Sequence, residues 1–214
     1  MNWEYFIGST LTLLIILDPL GNAPPTQSVL RHLAPARRRF ILMRETFFMM
    51  LLLLMFFLLG SHILRYFQFS TGALNISGGI LLLLIAVGLI FPKMSVLGQS
   101  GEEEDPAEGE PFLVPITVPL VVGPAAIAFV MLQATLCENL TQTMAYMFGI
   151  VLASGITGAL LLFSEHVISR LGRNASAILA RLMGTLLVLL AVQMCLNGIT
   201  DYITFLNTNP PPAP

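Results

Sequence analysis

One stretch near the N-terminus carries most of the information about the fold: Leu13-Leu14-Ile15-Ile16-Leu17-Asp18-Pro19-Leu20-Gly21-Asn22-Ala23-Pro24-Pro25. An apolar run is interrupted there by an acid, a glycine, an amide and three prolines. An aspartate near the centre of a bilayer costs about 2.5–3.5 kcal/mol, so Asp18 is a functional-site candidate by position alone. Proline breaks the helical hydrogen-bond ladder, which lipid tolerates only where the freed backbone faces protein or water. The stretch therefore predicts a broken transmembrane helix.

The composition is that of an integral membrane protein. Of the 214 residues, 56% are hydrophobic and only 10% are charged, whereas soluble domains carry about 25% charged residues. Half of the acids fall in one segment with Gly and Pro, which predicts a solvated loop: Glu102, Glu103, Glu104, Asp105, Glu108 and Glu110. The one basic cluster, Arg37–Arg39, is explained by membrane topology and contact with anionic lipid, so no nucleic-acid partner is expected.

Six apolar runs are long enough to cross a hydrocarbon core, which needs about 20 helical residues. They lie near 5–29, 41–66, 73–92, 112–136, 142–165 and 178–204. The N-terminus lacks the basic region and cleavage site of a signal peptide, so the first run is expected to be retained. With both termini outside, nine of the ten basic residues lie inside and only Arg65 lies outside, as the positive-inside rule requires. The rival topology, with re-entrant first and fourth runs, leaves six inside and four outside.

An internal repeat relates the two halves of the chain. At an offset of one hundred residues, Pro19, Leu20 and Pro24 correspond to Pro119, Leu120 and Pro124; at 105, Leu81–Val87 corresponds to Leu186–Val192, and Gly79 to Gly184. Each half has three spans, an odd number, so the second half enters from the opposite side. The sequence predicts two inverted three-helix repeats, 1–92 and 112–214, joined by an acidic cytoplasmic loop, 93–111, with the first and fourth spans broken.

Paired interruptions in an inverted repeat point to a substrate site at the membrane midplane. Unwound backbone exposes amides and carbonyls there, and the N-termini of half-helices carry partial positive charge. Because only the first break contains an acid, a small zwitterion with a carboxylate and an ammonium group would suit the cavity.

These residues closely resemble the MarC family of membrane proteins, in its YhgN-like branch. The resemblance covers nearly the whole chain and is carried by Asp18–Asn22 with Pro24, Ile76–Ile80, Val114-Pro115 followed by Pro119-Leu120 and Gly123-Pro124, and Arg181–Gly184. The family is grouped with LysE-like amino-acid exporters, and some relatives are associated with transport of small neutral amino acids. The resemblance implies a multi-pass transporter of the bacterial inner membrane.

Candidate site residues cluster at the two breaks. Asp18 could bind a substrate ammonium or a coupling proton, or it could hydrogen-bond the broken backbone beside it. Asn22 could coordinate the solute or cap a half-helix. Gly21 and Gly123 would allow close approach of backbone. Four prolines complete this set: Pro19, Pro24, Pro119 and Pro124.

The third and sixth spans supply the other candidates. Asn75 and Ser77 open the third span beside Gly78 and Gly79, where small residues favour either tight helix packing or lining of a pathway. Gln193 and Asn197 are four residues apart and share a helix face. They could line a polar track or bond a neighbouring helix.

The sequence offers little for other chemistries. Ser164-Glu165-His166 are adjacent on a helix and do not face one another, so no catalytic residue is assigned. Neither Cys137 nor Cys195 has metal-ligand spacing, and no cofactor is expected; we interpret both as small buried hydrophobes, with a disulfide as the alternative. We expect a secondary transporter of small solutes, with lipid and possible homo-oligomers as partners. The alternatives are a non-transporting assembly or stress-response protein and an intramembrane enzyme.

Overall fold

The computed structural model describes residues 3–30, 33–91, 122–137 and 139–208. These residues form α1 (Trp3–Leu17), α2 (Ala23–Leu30), α3 (Pro35–Tyr66), α4 (Thr71–Ile90), α5 (Pro124–Thr135) and α6 (Leu140–Thr208), and no strand occurs among them. The all-α class is therefore confirmed for this part of the chain. Pro119 and the predicted acidic loop, 93–111, lie outside the described residues.

Four helical stretches are long and apolar enough to cross a membrane: Pro35–Tyr66, Thr71–Ile90, Leu140–Ser164 and Ala180–Thr204. They coincide with the second, third, fifth and sixth predicted runs. The first and fourth runs yield shorter apolar helices, Phe6–Leu17 and Pro124–Thr135, each below the length of about 20 residues that a full crossing needs. These are the two runs in which proline and glycine interrupt the apolar sequence.

Helix α6 contains both the fifth and the sixth predicted runs, because helical turns continue without a gap from Leu140 to Thr208. A straight helix of its 69 residues would be about 104 Å long. Asp201 nevertheless lines the same cavity as Cys137, which lies just before the helix begins. The chain must therefore reverse between its two apolar segments, which we call α6a (Leu140–Ser164) and α6b (Ala180–Thr204).

Helices α1 and α2 advance in one direction along α6a. The Phe6 ring stacks on Phe148 with 6.2 Å between centroids, and the Gln27 amide donates a hydrogen bond to Ser164 Oγ at 2.7 Å. The two contacts are 16 residues apart on α6a, or about 24 Å along its axis. The first run therefore forms one interrupted passage beside a spanning helix and does not turn back as a re-entrant hairpin would.

Helices α4 and α6b form a close antiparallel pair. A side chain on Gly72 would collide with the carbonyl oxygen of Gly198, and one on Gly184 would collide with Ile90. Small residues at such positions let two backbones approach closely, which drives helix association where lipid removes the hydrophobic driving force. Gly79 contributes to the same interface, because a side chain there would meet Cys195 Sγ.

Helix α3 packs between α6a and α5. Thr46 lies against Gly158 of α6a, and the Phe57 ring is 6.3 Å from Tyr146, so α3 and α6a are antiparallel. Nearer its C-terminus, Gly60 lies directly against Met131 of α5. Helix α3 therefore contacts a spanning segment, α6a, on one side and the second interrupted run, α5, on another.

Candidate functional site

The break in the first run is produced by the backbone of Asp18. Its φ of 40° lies in the left-handed region, where aspartate is one of the few non-glycine residues found. Helix α1 consequently ends at Leu17, and the Asp18 amide donates to the Ile15 carbonyl at 3.1 Å. The Asn22 amide in turn donates to the Asp18 carbonyl at 3.0 Å. One tight turn thus joins α1 to α2.

The Asp18 carboxylate folds back into this turn. Its Oδ1 accepts a hydrogen bond from the Gly21 amide at 3.0 Å, and the residue is only 3% exposed. A side chain on Gly21 would overlap Asp18 Oδ2. Gly21 is therefore required because the acid occupies the space that a Cβ would need. The carboxylate has this one hydrogen bond among the described residues, which leaves Oδ2 as an acceptor for a further partner.

Asn22 and the prolines have different roles in the turn. The Asn22 side-chain amide donates to the Leu17 carbonyl at 2.9 Å, so it caps the C-terminus of α1. Pro24 and Pro25 lie in the first turn of α2, where their missing amide hydrogens disrupt no helical bond. Pro19 is buried inside the turn. The break is thus made by Asp18 and Asn22, whereas Pro24 and Pro25 start the next helix.

The start of α5 faces the same buried core as this break. Gly123 is the N-cap residue of α5 and Pro124 its first residue, which is the helical position that favours proline. Val122 is fully buried and belongs to one hydrophobic cluster with Leu17 and Ala23, the residues that flank the first break. The described ends of the two interrupted runs therefore contribute to the same hydrophobic core.

Three buried hydroxyl groups near the first break were not identified from the sequence. Ser154 and Thr157 of α6a and Thr26 of α2 are each 0% exposed, and their hydroxyl oxygens have no hydrogen-bond partner among the described residues. On α6a, Ser154 and Thr157 lie between Phe148 and Ser164, which contact Phe6 and Gln27 respectively. The Asp18 turn lies between Phe6 and Gln27 in the chain. The two hydroxyls of α6a and the acid are therefore at corresponding depths of the bundle.

A pattern in the sequence could have revealed the two hydroxyls of α6a. One face of α6a is buried along its length and is rich in small residues, which recur at helical spacing: Gly149, Ile150, Ala153, Ser154, Thr157, Gly158 and Leu161. Gly149 lies against Thr10, and Gly158 against Thr46. Small residues at this spacing mark the face of a transmembrane helix that packs against neighbours.

The structure places the candidate residues of α4 and α6b away from the break. Asn75 is 4% exposed, and its amide donates to Asp201 Oδ2 at 3.3 Å. Ser77 lies on an exposed face and donates to the Leu74 carbonyl. Gln193 and Asn197 are exposed on α6b and bond each other at 2.8 Å. Pro24 and Pro124 are likewise exposed, whereas Gly123 is partly buried.

No group of three or more metal-ligating side chains comes together in the described ranges. Within α3, Arg44 forms an ion pair with Glu45, with 2.9 Å between Nη2 and Oε1. Spanning helices, a buried acid in a helix break and unpaired buried hydroxyls on α6a and α2 define a polytopic α-helical membrane protein with polar groups in its core.

Comparison with known proteins identifies the family. The model of the MarC family of integral membrane proteins matches residues 3–203, so the chain belongs to this family. It is 42% identical over 193 residues to the UPF0056 inner membrane protein YhgN of Escherichia coli K12, covering 90% of this chain and 95% of that protein.

More distant members extend over the same length. A UPF0056 membrane protein of Buchnera aphidicola is 39% identical over 197 residues, which is 92% of this chain and 96% of the relative. One from Methanocaldococcus jannaschii is 35% identical over 200 residues, covering 93% and 98% respectively. No solved structure matches this chain. The names of these relatives place the family in the membrane.

Proposed function

We propose that this protein is a secondary transporter of small solutes, with small neutral amino acids or related metabolites as its substrates. The solute would bind at the midplane between the two interrupted runs, and alternating access would expose that site to each side in turn. The observation that carries the proposal is the buried Asp18 carboxylate in a helix break. A membrane protein keeps an acid at such depth for binding, proton transfer or a specific pairing.

The chemistry of the two breaks is asymmetric. Asp18 Oδ2 offers a negative partner for an ammonium group or a proton. Pro24 and Pro25 remove two amide donors from the first turn of α2, so this helix is a poor partner for an anion. Helix α5 begins in the same hydrophobic core, and Ala125, which follows Pro124, keeps its amide hydrogen. Its positive N-terminus is the better partner for a carboxylate. A zwitterion would be oriented between them.

Contacts in the α4–α6b pair support an inverted repeat. A methyl group on Gly79 would meet the Ala191 carbonyl oxygen at 2.8 Å, and one on Gly184 would meet that of Ala86 at 3.2 Å. At the repeat offset of 105 residues, Gly79 corresponds to Gly184 and Ala86 to Ala191. Each contact is therefore converted into the other when the two halves of the chain are interchanged, as a pseudo-two-fold axis in the membrane plane requires.

The orientation forms part of the proposal. With both termini in the periplasm, the basic cluster Arg37–Arg39 at the start of α3 lies in the cytoplasm, and Arg65 at the end of α3 lies outside. The inner-membrane location of the YhgN relative supports the same compartment. Impermeant labelling of a cysteine introduced after residue 208 in intact cells would test this arrangement.

Solute flux in proteoliposomes tests the proposed function directly. Purified full-length protein is reconstituted, and uptake of labelled alanine, glycine, serine and threonine is followed with and without an imposed proton gradient. We expect flux for at least one of these solutes above that of empty liposomes. Absence of flux for every neutral amino acid, with or without the gradient, would overturn the proposal.

Thr157→Val separates a transport role of the buried hydroxyls from a structural one. Valine has the same shape as threonine, and removing an unpaired buried hydroxyl should leave the free energy of unfolding unchanged or raise it by about 1 kcal/mol. If the hydroxyl binds solute or water on the pathway, flux falls about tenfold, the equivalent of one hydrogen bond of about 1.4 kcal/mol. Flux and denaturant unfolding are measured on the same preparation.

The matched control for this variant is Thr185→Val on α6b. Thr185 is exposed and its hydroxyl is already bonded to the Arg181 carbonyl at 2.9 Å. Flux should be unaffected by this change. Equal flux in Thr157→Val and wild type would remove the α6a hydroxyls from the proposed pathway.

A further inference from the structure

A cleft lies at the end of the bundle where α3 ends and α4 begins. Its volume is about 690 Å³, and it is bounded by the C-terminal ends of α3 and α5, the N-terminal turn of α4 and the last part of α6b. The cleft lies by Cys137, at the end of the bundle where α6a begins, whereas the Asp18 turn lies further along α6a than the contact between Phe6 and Phe148. The cleft and the turn are therefore separate. The site proposed above therefore does not include it.

Groups of opposite charge line the cleft. Arg65 is contributed by the last turn of α3 and Asp201 by α6b, and no ion pair joins them in the described structure. Arg65 is also the one basic residue that the positive-inside rule leaves on the outer side. Gln68, Ser70 and Thr71 add polar groups to the lining of the cleft. A cation and an anion that are both available within one cleft suit a ligand that carries both charges.

Asn75 provides an unpaired polar atom beside the acidic wall. It is one helical turn beyond Thr71, is 4% exposed and donates its amide hydrogen to Asp201 Oδ2 at 3.3 Å. Its own oxygen, Oδ1, is buried and has no partner among the described residues. A buried amide oxygen without a donor loses the hydrogen bond it would make with water. Asn75 does not itself line the cleft, so its role there is to position the Asp201 carboxylate.

We propose that the Arg65–Asp201 cleft is a second binding site for a small zwitterionic solute, on the side of the membrane where α3 ends. The ammonium group would be held by the Asp201 carboxylate and the solute carboxylate by the Arg65 guanidinium, while Asn75 holds the Asp201 side chain in place from behind the cleft wall. The inference rests on the proposed function, because it assigns the same class of solute to a station outside the midplane site. It adds two charged residues that the sequence analysis did not place in a site.

A purely structural role for Asp201 predicts a different result. The Asp201 side chain lies beside the N-terminal turn of α4, where an acid favours the positive end of the helix, and it also holds Asn75. In that case Asp201→Asn would lower stability and Arg65→Gln would change nothing. A binding site instead requires that both variants lose the solute.

A native cysteine in the cleft provides the measurement. Cys137 lines the cleft and is a free thiol, whereas Cys195 is packed against Gly79 and can be replaced by serine. In nanodiscs, the rate of maleimide labelling of Cys137 is measured in full-length Cys195→Ser with alanine, alaninamide or N-acetylalanine. We expect alanine at about ten times its Kd to slow labelling about tenfold, by occupancy alone. The analogues carry one charge each and should protect far less.

Charge variants then assign the two walls. Arg65→Gln and Asp201→Asn should each weaken protection by alanine about tenfold, while Arg65→Lys keeps the cation and should retain most of the protection. Absence of protection in the Cys195→Ser parent, equal protection by all three compounds, or an unchanged effect in Arg65→Gln would overturn the proposal. The readout is independent of flux: protection without transport contradicts only the proposed function, and transport without protection contradicts only this site.

The pH dependence of labelling serves as an internal check. Cys137 lies in the connection between α5 and α6, and burial raises the pKa of its thiol above the ordinary value, an effect that a hydrogen bond with Thr143 partly reverses. Only the thiolate reacts with maleimide. Labelling should therefore be slow near neutral pH and accelerate as the pH rises, so all protection measurements are made at one fixed pH.

Discussion

Asp18→Asn is expected to abolish most of the flux and leave the fold intact. Asparagine tolerates the left-handed backbone of this position, and its Oδ1 can still accept the Gly21 amide. The substitution removes only the charge and the protonatable group. A charge-assisted hydrogen bond is worth up to about 3 kcal/mol, so transport should fall about 100-fold. Uptake in proteoliposomes and thermal unfolding in detergent are measured together.

A carboxylate removed elsewhere is the appropriate comparison. Glu104→Gln deletes one acid from the acidic segment between the two halves of the sequence, and its flux should equal that of the wild type. Coupling is tested by imposing a proton gradient: if Asp18 carries the proton, the residual flux of Asp18→Asn no longer responds to it. Full flux and full proton dependence in Asp18→Asn would contradict the role assigned to this acid.

Gly21→Ala is expected to cause the largest loss of stability at the site. The new Cβ would overlap Asp18 Oδ2 and lie 2.8 Å from its Cγ. The carboxylate cannot move away without losing its hydrogen bond to the Gly21 amide, because the group is enclosed in the turn. Crowding together with the lost buried bond should lower the free energy of unfolding by about 3 kcal/mol. Equilibrium denaturation in mixed micelles measures the change.

Gly155→Ala is the matched control, since it makes the same chemical change where nothing lies within 4 Å of the new methyl group. It lies in the interior of α6a, where alanine is favoured over glycine by up to about 1 kcal/mol. The control should therefore be neutral or stabilising. Similar effects of the two substitutions would show that the Asp18 carboxylate does not occupy the space beside Gly21.

The interruption of the first run could be predicted because its causes are local. Asp18, Gly21, Asn22 and the prolines determine turn and helix-start geometry through their own side chains and backbone. The prediction attributed the break mainly to proline. In the structure Asp18 and Asn22 end α1, and Pro24 belongs to the first turn of α2. Local chemistry therefore located the break, and only the hydrogen bonds showed which residues make it.

The polar residues of the fifth and sixth runs were harder to assign. Gln193 and Asn197 were chosen because two amides share a helix face, yet they bond each other on an exposed surface. Ser154 and Thr157 were not chosen, yet they are fully buried without partners. Apolar helix faces that meet lipid and faces that meet protein have similar hydropathy, so polarity alone does not tell which face is inside.

Composition and local sequence were sufficient to predict the membrane class, the six apolar runs, the place of the break and the family. Each of these follows from composition or from contacts between neighbours in the chain. Three long-range relations became visible only in the folded bundle: the hydroxyls on α6a at the depth of Asp18, the membership of Val122 and Leu17 in one hydrophobic cluster, and, at the end of the bundle, the cleft lined by Arg65 and Asp201. Those relations join residues more than a hundred positions apart, and packing of the helices alone brings them together.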